Sequence, residues 1–96
     1  MKVHTTKGSV FDDLGFTPIE AESLKIRVLL MNTIEKEMAR QQLTQKKTAE
    51  LLGVSQPRIS DLKRGKISLF TIDSLIDMLA ALHISVSITI NHQLAA

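Results

Sequence analysis

Apolar positions along this chain change their spacing several times, and each change marks an element. Leu24, Val28, Met31, Ile34 and Met38 recur every three or four residues, the interval that keeps one face of an α-helix apolar. Thr17 before Pro18 starts this helix, because threonine caps and proline suits a first turn whose amides have no intrahelical partner; the pattern ends near Gln41. Ile26, Leu29 and Leu30 lie off the stripe, which predicts a second contact surface. A shorter unit follows. Thr44 caps a helix over residues 45–52, with Ala49 and Leu52 inward and Lys46, Lys47 and Glu50 outward. Gly53 ends it, since glycine takes a left-handed backbone without a Cβ clash, and Val54 packs beneath the turn. Ser55 caps the next helix, Pro57 falls in its first turn, and Ile59 and Leu62 form its buried face before Gly65 closes it.

Beyond this helix pair, residues 67–70 form a short connection. Thr71 or Ser68 then caps a helix through Ile72, Leu75, Ile76, Leu79 and Leu82 that closes the core. The period next drops to two. Ile84, Val86, Ile88 and Ile90 alternate with His83, Ser85, Ser87 and Thr89, the pattern of a half-buried strand. An unpaired strand with an apolar face is an associating edge, so pairing with its copy in a second protomer is the simplest outcome, and pairing near Val10 the alternative. At the other end Val10, Phe11, Leu14 and Phe16 follow a polar start and anchor an N-terminal arm over residues 1–16. The expected division is this arm, a helical domain over 17–82, and a C-terminal dimerising strand over 83–91.

Charge sharpens the picture through its placement. The total is only +2, but residues 40–66 hold seven basic side chains against two acids, and no Lys or Arg follows Lys66. A positive field confined to the helix pair suits phosphate attraction. The three aromatic residues are all Phe, too few for a stacking platform on single strands, so duplex DNA fits better. The absence of cysteine excludes disulfides and thiolate metal sites, and His4, His83 and His92 lack metal-ligand spacing, so no cofactor is expected. There is no run long enough to span a bilayer and no hydrophobic leader, which predicts a cytoplasmic protein. Without a nucleophile motif or a carboxylate pair in a pocket-forming pattern, an enzyme is not expected.

Gln45, Ala49, Gly53, Ser55, Ile59, Leu62 and Gly65 fall, without a gap, in a pattern similar to the phage-repressor (Cro/cI-type) helix-turn-helix, over residues 44–66. From Phe11 to about Ile90 the chain resembles small XRE-type regulators, a group that includes the HigA-type antitoxins. The resemblance implies a mainly α, lambda-repressor-like bundle of about four to five helices, here with a C-terminal β-strand. Pro57 stands where the family often has an amide that reads a base, and Asp61 puts an acid on the same face. The expected base readers are Ser55, Gln56, Pro57, Arg58, Ser60 and Asp61, with Gln56 foremost because an amide can bond both N6 and N7 of adenine. Gln45 resembles the family position that grips a phosphate at a helix N-terminus, and Arg40, Lys46, Lys63, Arg64 and Lys66 are the other expected phosphate contacts. Ile84, Val86, Ile88 and Ile90 are the expected dimer contacts. A dimer would set two such helices in successive major grooves, about 34 Å apart, on an operator of two-fold symmetry.

Three functions from different classes follow. The first is a dimeric, sequence-specific transcriptional repressor. In the second, an antitoxin, the same dimer also neutralises a small toxin protein and represses its own operon, as the resemblance implies. The third is a protein-interaction module without DNA binding, against which Lys46, Lys63, Arg64 and Lys66 argue. None calls for a membrane.

Overall fold

A computed structural model describes residues 15–92. The arm residues Val10, Phe11 and Leu14, and His4, lie outside the described residues. Helix α1 spans Pro18–Arg40, α2 Gln45–Leu52, α3 Gln56–Lys63 and α4 Ile72–Ala81, with a single 3₁₀ turn at Ile67–Leu69. The caps explain most of these limits. The Thr17 hydroxyl accepts from the Glu20 amide at 3.1 Å while the Glu20 carboxylate accepts from the Thr17 amide at 2.9 Å, a reciprocal box that satisfies two orphan donors. Those bonds also hold the exposed Glu20 carboxyl below its ordinary range. Thr71, not Ser68, starts α4, exchanging equivalent bonds with Ser74 at 3.1 Å each.

Long α1 packs along α4, and the short α2–α3 pair closes over them. Leu30, Met31, Ile34 and Met38 of α1 meet Ala49, Ile59, Leu62, Phe70, Leu75, Met78, Leu79 and Leu82 in one core. Leu30 is only 6% exposed, although the sequence stripe passes it by; the arc that α1 buries is wide enough to take Leu30 beside Met31. Val28 of the stripe is half-buried. Ile26 and Leu29 face outward at 41% and 40% exposure, so the second surface expected of α1 narrows to these two.

The C-terminal segment differs from expectation. Among the described residues there is no strand, and residues 84–91 carry no regular secondary structure. A ladder needs the backbone of a second strand, and the described part of one chain supplies none. His83 closes α4 with φ of 64°, its amide donating to the Ala80 carbonyl at 3.0 Å and the Ile84 amide to Leu79 at 2.9 Å. Ile84 and Val86 then lie against the core, while Ile88 and Ile90 are 74% and 84% exposed.

Candidate nucleic-acid interface

Two capped helix starts, separated by one tight turn, make up the site. Thr44 Oγ1 accepts from the Lys47 amide at 3.0 Å and opens α2; Ser55 Oγ accepts from the Arg58 amide at 3.3 Å and opens α3. Between them Gly53 adopts φ 70° and ψ 31°, and the Val54 amide donates to the Ala49 carbonyl at 3.0 Å. The chain thereby passes from one helix to the next within three residues. Pro57 sits in the first turn of α3, where its missing N–H leaves no carbonyl unpaired.

Burial fixes which side of each helix is presented. Ile59 and Leu62 are 0% and 1% exposed, anchoring α3. Opposite them Gln56, Pro57, Lys63 and Arg64 are exposed and Ser60 and Asp61 half-buried. Helical spacing puts Gln56, Ser60 and Lys63 on one strip and Pro57, Asp61 and Arg64 on the next. On α2, Gln45, Lys46 and Lys47 of the first turn are exposed, with amides of that turn directed outward. Thr48 supplies a contact that the apolar spacing did not reveal: it is fully buried, with its hydroxyl donating to the Thr44 carbonyl at 2.7 Å. A β-branched residue whose hydroxyl bonds back one turn can serve as core, and this is the sequence signal.

Several cations are engaged within the chain. Arg40 is clasped by Glu37, the guanidinium Nε lying 3.1 and 3.2 Å from the two carboxylate oxygens. Hydrogen bonds from Arg40 and from the Gln41 amide hold the Glu37 carboxyl down at about 2. Lys66 Nζ lies 3.5 Å from Asp61 Oδ1, a link between the end of the motif and the middle of α3. The ion-pair partner of Asp61 is therefore Lys66. Arg58 turns away from the exposed strips. Its Nη1 donates to the Leu69 carbonyl at 2.6 Å, and its guanidinium carbon lies 4.0 Å from the centroid of the Phe70 ring. From α1, Arg27 Nη1 reaches the Ile67 and Phe70 carbonyls at 3.4 Å each, while Nη2 donates to Ser23 Oγ at 3.2 Å. Arg27 and Phe70 thus frame the site without having been expected there. An Arg off the apolar stripe carries no sequence mark of which carbonyl it will hold.

Chemically, the arrangement offers amides, an exposed carboxamide, hydroxyls and cations on a convex helix, the equipment for a polyanion with hydrogen-bonding edges. Among the described residues no cluster of His, Asp or Glu could hold a metal ion, and no helix is long and apolar enough to cross a membrane.

The model of a helix-turn-helix domain family matches residues 10–91. A solved structure provisionally named an XRE family transcriptional regulator is similar at a TM-score of 0.71 and 30% identity, over 76% of this chain and 82% of that one. No curated protein matches the chain.

Proposed function

This chain belongs to the helix-turn-helix family of XRE-type regulators, and on that premise we propose that it binds duplex DNA as a homodimer and represses transcription by occluding a promoter. The observation that carries this is the exposed side of α3, with Gln56 and Pro57 at its capped N-terminus and Lys63 and Arg64 at its end. Inserted in a major groove, the first turn meets base edges while the flanking cations meet phosphates. Ser55, Gln56, Pro57, Ser60 and Asp61 are the proposed readers. Pro57 packs on a thymine methyl, and Asp61 accepts from cytosine N4 through the carboxylate oxygen that Lys66 leaves open. Gln45, Lys46, Lys63, Arg64 and Lys66 are the proposed phosphate contacts. Arg40 is the weakest of that set because it must first leave Glu37.

Dimerisation is proposed through residues 84–91, where Ile88 and Ile90 stand exposed on a segment that forms no strand among the described residues. The test is a gel shift on the DNA upstream of the gene, with salt varied. A retarded band that resists unrelated competitor and weakens steeply as salt rises is expected. Failure to prefer upstream DNA even at low salt would sink the proposal.

A second function, that of an antitoxin, is favoured by one observation: the apolar Ile26 and Leu29 are exposed on α1, outside the helix pair proposed to meet DNA. Such a pair is where a small toxin protein would seat. Co-expression with the adjacent reading frame and purification by a tag on this chain decides it; absence of a stoichiometric second band, with the neighbour expressed, rejects the antitoxin.

A further inference from the structure

We propose that Arg58, which stands among the reading positions of α3, is a positioning residue: it fastens the turn of residues 66–70 to α3, so that helix and turn meet DNA as one rigid unit. The inference rests on the DNA-binding function proposed above and narrows its specificity to the residues that remain.

Three observations converge on the turn. The first is the pair of bonds that Arg58 makes, to the Leu69 carbonyl at 2.6 Å and over the Phe70 ring at 4.0 Å. Phe70 is 1% exposed, so the ring beneath the guanidinium is otherwise part of the core. The second is Arg27, which holds the neighbouring carbonyls of Ile67 and Phe70 from the α1 side. Between them the two arginines engage the carbonyls of Ile67, Leu69 and Phe70, in a stretch whose own regular structure is one short 3₁₀ turn. The third is the Asp61–Lys66 ion pair, which ties the start of the same turn to α3 at 3.5 Å.

Reading guanine would require Arg58 to aim one whole edge of its fork at O6 and N7. The terminal Nη1–Nη2 fork cannot be presented while Nη1 is bound to the Leu69 carbonyl, and the side chain is held with its guanidinium carbon 4.0 Å over the Phe70 ring. Leaving would strip a carbonyl of its donor and expose an aromatic face. The choice of Arg fits the fastening role, since a planar, weakly hydrated cation stacks on a ring where an ammonium does so poorly. What the fastening achieves is register. Lys66 follows Gly65, whose φ of 70° turns the chain out of α3, and a loose turn would leave Lys66 without a fixed phosphate.

The experiment selects a preferred duplex from random 20-base-pair DNA with the wild-type chain. Arg58→Ala, Arg58→Gln and Phe70→Leu are then measured on that duplex and on its single-base-pair derivatives across a salt series. Positioning predicts that Arg58→Ala weakens binding by about tenfold on every duplex alike, with the ranking of derivatives unchanged and a shallower salt slope. Phe70→Leu should do the same in kind, and the double variant should lose no more than the worse single one. Arg58→Gln keeps one donor for Leu69 and should fall between; with Phe70→Leu it carries the test should Arg58→Ala melt below the assay temperature. Loss of preference at one base pair in Arg58→Ala, with Phe70→Leu binding as wild type, would overturn the inference in favour of base reading. Wild-type affinity in Arg58→Ala would overturn it as well. A wild-type chain that enriches no duplex would bring down the DNA-binding function itself, and the role of Arg58 with it.

Discussion

Gln56 and Gly53 are three residues apart and fail in different ways when replaced. Gln56 is exposed at the first position of α3, so Gln56→Ala should leave thermal stability nearly unchanged while costing about 1–3 kcal/mol of discrimination at one base pair. Competition binding on duplexes altered one base pair at a time checks this; a uniform loss across the series would make Gln56 a phosphate contact. Gly53 is needed for its backbone alone. A Cβ there would meet nothing within 4 Å, so Gly53→Ala carries only the conformational cost of φ 70°, about 1 kcal/mol. His83 is the mirror case, since at φ 64° it bears a side chain where glycine would sit more easily. His83→Gly should raise stability by up to about 1 kcal/mol. Denaturant melts measure both, and a Gly53→Ala loss well beyond the conformational cost would reveal a clash that the geometry does not contain. Gly53 was legible in the sequence because its position after a short apolar-patterned helix demanded it. The strained His83 was not, because a histidine before alternating isoleucines marks a strand as readily as a helix end.

Helix ends were the best-read elements, and the reason is chemical. Thr17, Thr44, Ser55 and Thr71 each accept from a backbone amide three residues on, a local bond that sequence spacing alone can specify. Burial was read less well, since whether α1 hides Val28 or Leu30 depends on the placing of α4 and the turn after α3. Ser55 shows how a cap can be separated from a contact. Ser55→Ala should destabilise the chain by about 1 kcal/mol, because α3 has only eight residues and depends on its cap. Ser55→Asp keeps the cap and should melt like the wild type, yet its carboxylate would face phosphate, so DNA binding should fall steeply. Equal binding by Ser55→Asp and wild type would mean that the N-terminus of α3 does not approach the duplex. The last turn of α1 is the acid-sensitive element. Glu37 is held from its ordinary 4.5 down to about 2 by bonds from Arg40 and Gln41, so it is charged more readily folded than unfolded. Its stabilising effect is therefore present above pH 4.5 and lost as pH falls toward 2. Melting temperatures across that range should drop less in Glu37→Gln than in wild type; parallel curves would show that the clasp adds nothing.

At the scale of the molecule, the sequence specified the bundle but not its C-terminal edge, for a strand is defined by a partner that the described residues of one chain do not supply. The alternation in residues 83–90 survives in part as burial: Ile84 and Val86 pack on the core, and only Ile88 and Ile90 remain for another surface. That division makes a clean test of dimerisation. Because Ile88 and Ile90 are 74% and 84% exposed, replacing both with Lys should leave the monomer folded, with a melt close to wild type at low protein concentration. If the two copies meet through this segment, four lysines then face each other in the dimer and it should dissociate. Light scattering at tens of micromolar should give the dimer mass for wild type and the monomer mass for Ile88→Lys/Ile90→Lys. The loss for DNA is larger than any single contact, since a linked second half-site multiplies affinity by roughly a hundredfold or more without a new bond. The variant should therefore bind the full operator about as weakly as one half-site, while its preference among half-site sequences stays that of the wild type. A variant that stays dimeric and binds normally would place the dimer contact elsewhere, with Ile26 and Leu29 on α1 the next apolar pair to change.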